Sequence, residues 1–414
     1  MKKHQIFSIL SIFVTLTFLV QCAEEPQKSL WELDPNYEVK QNPVVTAVEP
    51  QSAYAGITQV TIHGDNFDPS DNFSHTRVYF GGEKAQLLSI TGDSIITCIT
   101  PVVLGDSLLI KVQVDGALLF GVSEPYKVES AQQEYGGITG AYDAYGMAVD
   151  LNENLFLSLG DGRVIYVTPE EEIKEFDTLK VFFRTMKMGP NNTLHGGRTI
   201  YIYRMTETGY DSLRLSRPLN DFDFDENLNI FYSTRFALYT VNQAGSDRLV
   251  ADYPSYVVSS LRVYNGYVYV SATYTGTDTT LVQRGIWRNE ILNATGDLGS
   301  NELVFDWRRY FPAGAAGIPS ILSMTFGEDG DLYIGSDSTQ ISNAITVIHP
   351  DGEGNYLPEN VEPLYASVLM PPATVMSWGT GQYMYVNRRS INNTLKRVIR
   401  VTMGKNSAPY YGRQ

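Results

Sequence analysis

The sequence predicts an all-β protein in two folded parts, a small antiparallel sandwich followed by a six-bladed propeller. Three observations carry this. The 414 residues include 35 Gly and 27 Tyr and few long apolar helical patterns, which favours many short strands joined by turns. From Pro43 to Glu129, about seven alternating runs follow one another between turn residues. After residue 130, a unit of roughly 40 residues with several short strands recurs six times, the mark of propeller blades.

The same composition bounds the function. With 43% hydrophobic and 19% charged residues the chain is globular. Its 46 Asp and Glu against 31 Lys and Arg give a net charge of −15, the wrong sign for a nucleic-acid partner.

Taken in order, the chain opens on Lys2 and Lys3, an apolar stretch from Ile6 to Val20, and Cys22. A positive start and an apolar stretch this short read as an export signal over residues 1–21, not as a spanning helix. Leu19-Val20-Gln21-Cys22 resembles a bacterial lipobox, with Gln21 where Gly, Ala or Ser is usual. The resemblance implies cleavage before Cys22 and lipidation of its thiol, so that the only expected membrane contact is the lipid anchor. Residues 22–42, with Glu24, Glu25, Pro26 and Pro35, read as a tether. Acidic residues directly after the cysteine resemble surface-export signals of lipoproteins from gram-negative, glycan-degrading bacteria, which implies an outer-membrane, surface-exposed location. With Cys22 lipidated, Cys98 has no partner for a disulfide and reads as a packed strand residue.

Within 43–129 the expected strands are Val44 to Val48, Gln59 to His63, Thr76 to Phe80, Ala85 to Ile90, Ile95 to Ile99, Leu108 to Val114 and Pro125 to Val128. Gly64 and the pair Gly81-Gly82 are expected in turns that need positive φ. His63 is read as a packed or surface residue rather than a metal ligand. Val48-Glu49-Pro50, Gly56, Val60-Thr61-Ile62-His63-Gly64-Asp65-Asn66-Phe67, Val78-Tyr79-Phe80-Gly81-Gly82 and Ile99-Thr100-Pro101 resemble the IPT/TIG family of immunoglobulin-like domains. The resemblance spans this domain and implies a spacer or docking module.

The repeats of 130–414 open at Met147, Met186, Phe222, Leu261, Met324 and Met376, at intervals of 39, 36, 39, 63 and 52 residues. Each has a polar turn, a second strand such as Leu332-Tyr333-Ile334, and a third such as Val398 to Val401. The middle of the second strand carries Phe156, His195, Phe231, Tyr269, Tyr333 and Tyr385, expected to pack between adjacent blades. Asp150 to Asn154 is read as a hairpin turn, because it lacks the Gly and bidentate Glu of a calcium loop. Closure of the ring is assigned to a strand before Met147 or to the C-terminal tail. The pattern of apolar strand, Asp/Asn/Gly turn and Leu-Tyr-Ile resembles NHL-type repeats, which implies a propeller.

Two places are candidate binding sites. The longer intervals imply protruding loops, one within residues 275–318 that carries Arg284, Trp287, Trp307, Arg308, Arg309 and Tyr310; rings stack on sugar faces and Arg donates to hydroxyls or carboxylates. The same rings equally suit anchoring of a loop. The second place is the central mouth, reached by Asp143, Tyr145, Arg184, Asp221, Ser260, Ser320 and Thr374. Only Asp143 and Asp221 there are full-charge oxygen ligands, so no metal and no cofactor is expected. With five His, one in the leader, and no nucleophile elbow or zinc-helix motif, binding without catalysis is preferred. The whole resembles lipoproteins encoded with outer-membrane polysaccharide uptake systems, which implies an extracellular glycan as ligand. The alternatives are a protein-binding subunit of an outer-membrane transport complex, or a propeller enzyme of lyase, hydrolase or lactonase type.

Overall fold

The computed structural model describes residues 39–177, 179–242, 244–311, 318–337, 344–365, 368–389 and 397–413. Cys22 and most of the tether lie outside them. Among the described residues no helix is long and apolar enough to cross a membrane.

Residues 44–129 form a sandwich. One sheet orders Val44–Glu49, Gln59–Asp65, Ile95–Ile99 and Gln86–Thr91; a second orders Gly121–Val122, Ile110–Val114, Thr76–Phe80 and Glu83–Lys84; a short third joins Ser52–Tyr54, Tyr126–Glu129 and Gly105–Leu108. Strict alternation drives this, since every second residue of Gln59–Asp65, Thr76–Phe80 and Ile110–Val114 is buried. Val60, Ile62, Val78, Phe80, Ile96, Cys98, Ile110 and Val112 meet in a single core. The expected run Leu108 to Val114 is broken at the exposed Leu109, and its halves pair with different strands, Tyr126–Glu129 and Thr76–Phe80. Gly81 has the expected positive φ of 63°. Gly64 does not, and is required for a different reason: a Cβ there would sit 1.8 Å from the Val44 carbonyl oxygen of the paired strand.

Six antiparallel sheets of four strands follow. Their innermost strands are Ala144–Val149, Thr185–Gly189, Asp221–Phe224, Tyr256–Tyr264, Ile321–Phe326 and Val375–Trp378. Each of these packs against the next, and the sixth against the first, so the sheets close into a ring of six blades. Closure uses the strand before Met147: Gln132–Glu134 pairs antiparallel with Val398–Thr402 as the outer strand of blade 6.

The apolar side chains lie in seams between blades. Tyr269 of blade 4 packs on Phe326 of blade 5 at 4.8 Å between ring centres, and Tyr333 of blade 5 packs edge-on against Trp378 of blade 6 at 5.2 Å. His195 fills the same position in blade 2, edge-on to Phe224 of blade 3 at 5.1 Å. The aromatic position of the repeats is therefore a packing position. Asp150 accepts the amide N–H groups of Asn152 and Asn154, and Asp225 those of Asn227 and Asn229, so these carboxylates brace hairpin turns.

Candidate functional site

The repeat register places equivalent residues of the inner strands in tiers around the axis, because alternate residues of a strand share a face. The upper tier is Gly146, Thr185, Asp221, Ser260, Ser323 and Val375; the tier below is Ala148, Lys187, Asp223, Arg262, Thr325 and Ser377. At the entry end of the strands a well of about 530 Å³ opens, lined by residues of all six blades, among them Tyr145, Arg184, Lys187, Asp221, Ser260 and Arg389. A groove of about 510 Å³, lined by Phe182, Gly197, Arg198, Leu219 and Val258, shares Arg184, Asn220 and Ser259 with it. The two form one concavity from the axis outward between blades 2 and 3.

The C-terminal segment underlies the axis at the other end. Ser407 bonds the Gly379 carbonyl, the Ala408 amide that of Phe326, and Arg413 that of Trp378. Tyr410 and Arg413 line the void below the second tier beside Lys187 and Arg262. Burial depresses the Arg413 guanidinium to about 10 and pushes the Tyr410 phenol well above its ordinary range.

Carboxylates of the well are held by its walls. Asp221 accepts from Thr185 Oγ1 at 2.6 Å, from the amides of Phe222 and Leu261 at 3.0 Å each, and from Ser260 at 3.4 Å. It ties blades 2, 3 and 4 together. In the lower tier Asp223 accepts from the amides of Phe224 and Val263 and from Arg262 at 3.3 Å, and Arg262 also reaches Thr325. At the rim Asp143 accepts from Arg389 Nε at 2.7 Å, while Arg389 Nη2 donates to Tyr145 Oη at 2.7 Å.

The rim is also layered. Arg389 lies 3.9 Å from the Tyr145 ring centre, Tyr145 lies 4.8 Å from Phe182, and Arg198 lies 3.8 Å from Phe182 on the groove side. Four planar groups from blades 6, 1 and 2 thus touch in series, the two rings tilted at 35° to each other, which sets guanidinium donors against a ring wall. Ser320 and Thr374 hold the rim through backbone contacts, Ser320 N–H to Asp337 and Thr374 Oγ1 to the Asn387 carbonyl.

The loop candidate is organised differently. Trp307 is fully buried and donates through Nε1 to the Pro319 carbonyl at 3.0 Å. Trp287 is buried against Tyr256 at 4.9 Å. Tyr310 is half-buried on Trp307 and Phe311. Arg308 and Arg309 are exposed, with Arg309 paired to Asp306 at 3.4 Å. The expected ring platform of Trp287 and Trp307 therefore gives way to an anchor: part of the extra length of blade 4 goes into long strands and a short 3-10 turn, and these indoles pack inward, Trp307 with its N–H on a carbonyl.

Residues missed by the sequence reading are Lys187, Asp223, Arg262, Phe182, Arg198 and Arg389. The lower tier was marked by one signal, charged residues at the middle position of otherwise apolar inner strands. Burial pushes the Cys98 thiol up to about 12, which makes it inert, and burial lowers His195 to about 4.

With this geometry in place, comparison with known proteins adds the following. Residues 43–129 match the model of the IPT/TIG domain. The first domain is an IPT/TIG domain. Curated proteins give no match. Among solved structures, the chain is similar to an auxiliary nutrient binding protein from Bacteroides ovatus, at 17% identity over 88% of this chain and 99% of that one, with a TM-score of 0.48. It is also similar to a Bacteroides thetaiotaomicron protein provisionally described as a phosphatase, at 11% identity over 87% and 97% with a TM-score of 0.50. A gluconolactonase from Xanthomonas campestris matches at 13% identity over 72% and 90%, with a TM-score of 0.45. At such identities a likeness concerns the fold alone, and what these proteins bind or catalyse does not pass to this chain.

Proposed function

We propose that the protein is exported, held at the outer-membrane surface through a lipid on Cys22, and binds an extracellular glycan in the mouth of its propeller without turning it over. The observation that carries the reading is the composition of the concavity. Its carboxylates accept bonds from their own walls, while guanidinium, ammonium, amide and hydroxyl donors and two rings in contact face the space. Fixed donors beside a ring suit the hydroxyl edge and CH face of a sugar, and the two volumes fall in the range of ligand sites.

The tethered IPT/TIG domain acts in this reading as a spacer that carries the propeller away from lipid. The blade pattern supports kinship with NHL-type repeats, and the export signal supports an association with an outer-membrane uptake complex. The test is affinity electrophoresis of the chain from Ala23 against a panel of polysaccharides, with the same mixtures assayed for new reducing or unsaturated ends. Retention without products is expected. Products would turn the mouth into an active site, and no retention by any polysaccharide would move the assignment to a protein partner.

A further inference from the structure

We propose that the floor and rim of the well form a subsite for an acidic group, a carboxylate or sulfate borne by the ligand, held between Lys187 and Arg184. The proposal rests on the glycan reading and narrows it to acidic glycans.

Ion pairing within the concavity leads to it. Of the cations that line the well and the void below it, Arg389 is taken by Asp143 and Arg262 by Asp223. Arg413 donates to the Trp378 carbonyl and has Glu153 in its surroundings. The Lys187 and Arg184 side chains line the well and make no hydrogen bond or ion pair with any described residue. The carboxylates around Lys187, Asp221 and Asp223, already accept four and three bonds from backbone and side-chain donors.

Position sharpens the point. In the lower tier Lys187 and Arg262 flank Asp223 from blades 2 and 4, and the single carboxylate goes to Arg262. Lys187 is left as a half-buried ammonium group that lines both the well and the void below it, without a paired carboxylate, and with Arg262, Arg413, Asp221 and Asp223 around it. Desolvation first, and then Arg262, lower its pKa, against an opposing pull from Asp221 and Asp223. A partly desolvated cation without a hydrogen-bonded counter-charge gains from an anion that brings one. An anion entering from the mouth supplies that counter-charge, and Arg184 at the rim offers a second, planar set of donors to the same group. This occurs in a chain whose net charge is −15, so the local excess of cation is opposite to the field of the molecule. Tyr410 and Arg413 line the lower void, which leaves the mouth as the open approach.

Affinity electrophoresis of the chain from Ala23 with matched pairs tests this: polygalacturonate against its methyl ester, and dextran sulfate against dextran. Lys187→Met keeps the aliphatic stem and its packing, and Arg184→Gln alters an exposed residue, so neither variant threatens the fold; a melting curve on each confirms it. The expected result is retention by at least one acidic polymer, at least tenfold weaker for its neutral partner, at least tenfold weaker in each variant, and weakened by salt. Which acidic polymer retains the protein distinguishes carboxylate from sulfate. Retention by neutral polymers alone, or acidic retention that both variants keep, overturns the acidic subsite and leaves the glycan reading standing. Retention by none of these polymers overturns the subsite, and the wider polysaccharide panel then decides the glycan reading separately.

Discussion

In the IPT/TIG domain one apolar cluster fills the space between sheets, and the buried polar residues among the described ones are Thr76 and Thr100. In the propeller the apolar contacts are divided among blade-to-blade seams, and Asp223 is buried at the axis, while Asp150 and Asp225 are buried in hairpin turns. Both parts are antiparallel β, so strand chemistry does not explain the contrast. A sandwich brings two faces together and needs no charge inside. A ring of blades meets at an axis too wide for side chains to close, and the residues that reach it face both water and one another. Charges there can be paired across blades, and those left over can serve a ligand. The contrast teaches that stability is concentrated at the core of the first domain and at the seams of the second, with the chemistry between the seams.

The comparison can be probed in each part separately. Trp287, Trp307 and Trp378 lie in the propeller, so indole fluorescence of a chain carrying Trp31→Phe reports that domain, and Cys98, fully buried in the sandwich core, reports the other through its labelling rate. The largest effect is expected from Trp307→Ala. Removing a fully buried indole and its bond to Pro319 lowers propeller stability by about 3–5 kcal/mol in urea unfolding, with Cys98 labelling unchanged. Where the variant remains folded, glycan retention persists. Loss of retention by the folded variant would return the site to the blade 4 loop.

The next effect depends on pH. His195 is buried and its pKa falls from the ordinary 6.5 to about 4 because burial disfavours the charged ring. Its folded pKa is depressed, so the stabilisation is fully present above pH 6.5 and is lost as pH falls toward 4, while the unfolded chain takes up the proton first. The loss amounts to about 3 kcal/mol at most. His195→Phe restores the aromatic residue found in the other five blades and should flatten the profile between pH 6.5 and 4. In the sandwich, Lys40 and Ser70 hold the Asp68 carboxyl well below its usual range, so Cys98 protection should survive to lower pH than the indole signal. Equal acid sensitivity of the two probes would contradict the division between the domains.

These probes also mark what could be read in the sequence. Inner and middle strands are legible because they are buried on both faces and read as short apolar runs, as in Leu155–Leu159 or Leu332–Ser336, whose residues are all buried. The outer strands were not: Gly209–Arg214 and Asp247–Asp252 contain no buried residue and carry no apolar period. For the site, repeat alignment assigns Asp143, Tyr145, Arg184 and Asp221 to the mouth; Tyr145, Arg184 and Asp221 line the well, and Asp143 bonds Arg389 beside it. Their partners were not legible, because Arg389 reaches Asp143 from the far end of the chain, and residue type could not tell that Asp221 would accept four bonds from its own wall. Trp307 illustrates the converse. A Trp beside two Arg in a long interval has the composition of a binding loop, and only packing showed the ring turned inward.

The smallest expected effect tests whether the two parts are separate at all. Asn42, where the tether meets the sandwich, accepts through Oδ1 the amide N–H groups of Leu118 and Leu119 at 3.0 and 2.9 Å, and its amide neighbours the exposed run Leu118, Leu119 and Phe120. The site is exposed, so water replaces the lost acceptor and Asn42→Ala should lower sandwich stability by only about 1 kcal/mol. Labelling of Cys98 through unfolding would then accelerate about fivefold, while the indole transition in urea stays where it was. A shift of both signals together would mean that the sandwich and the propeller unfold as one unit, and the contrast between a charge-free core and a charged axis would then describe two regions of a single cooperative structure.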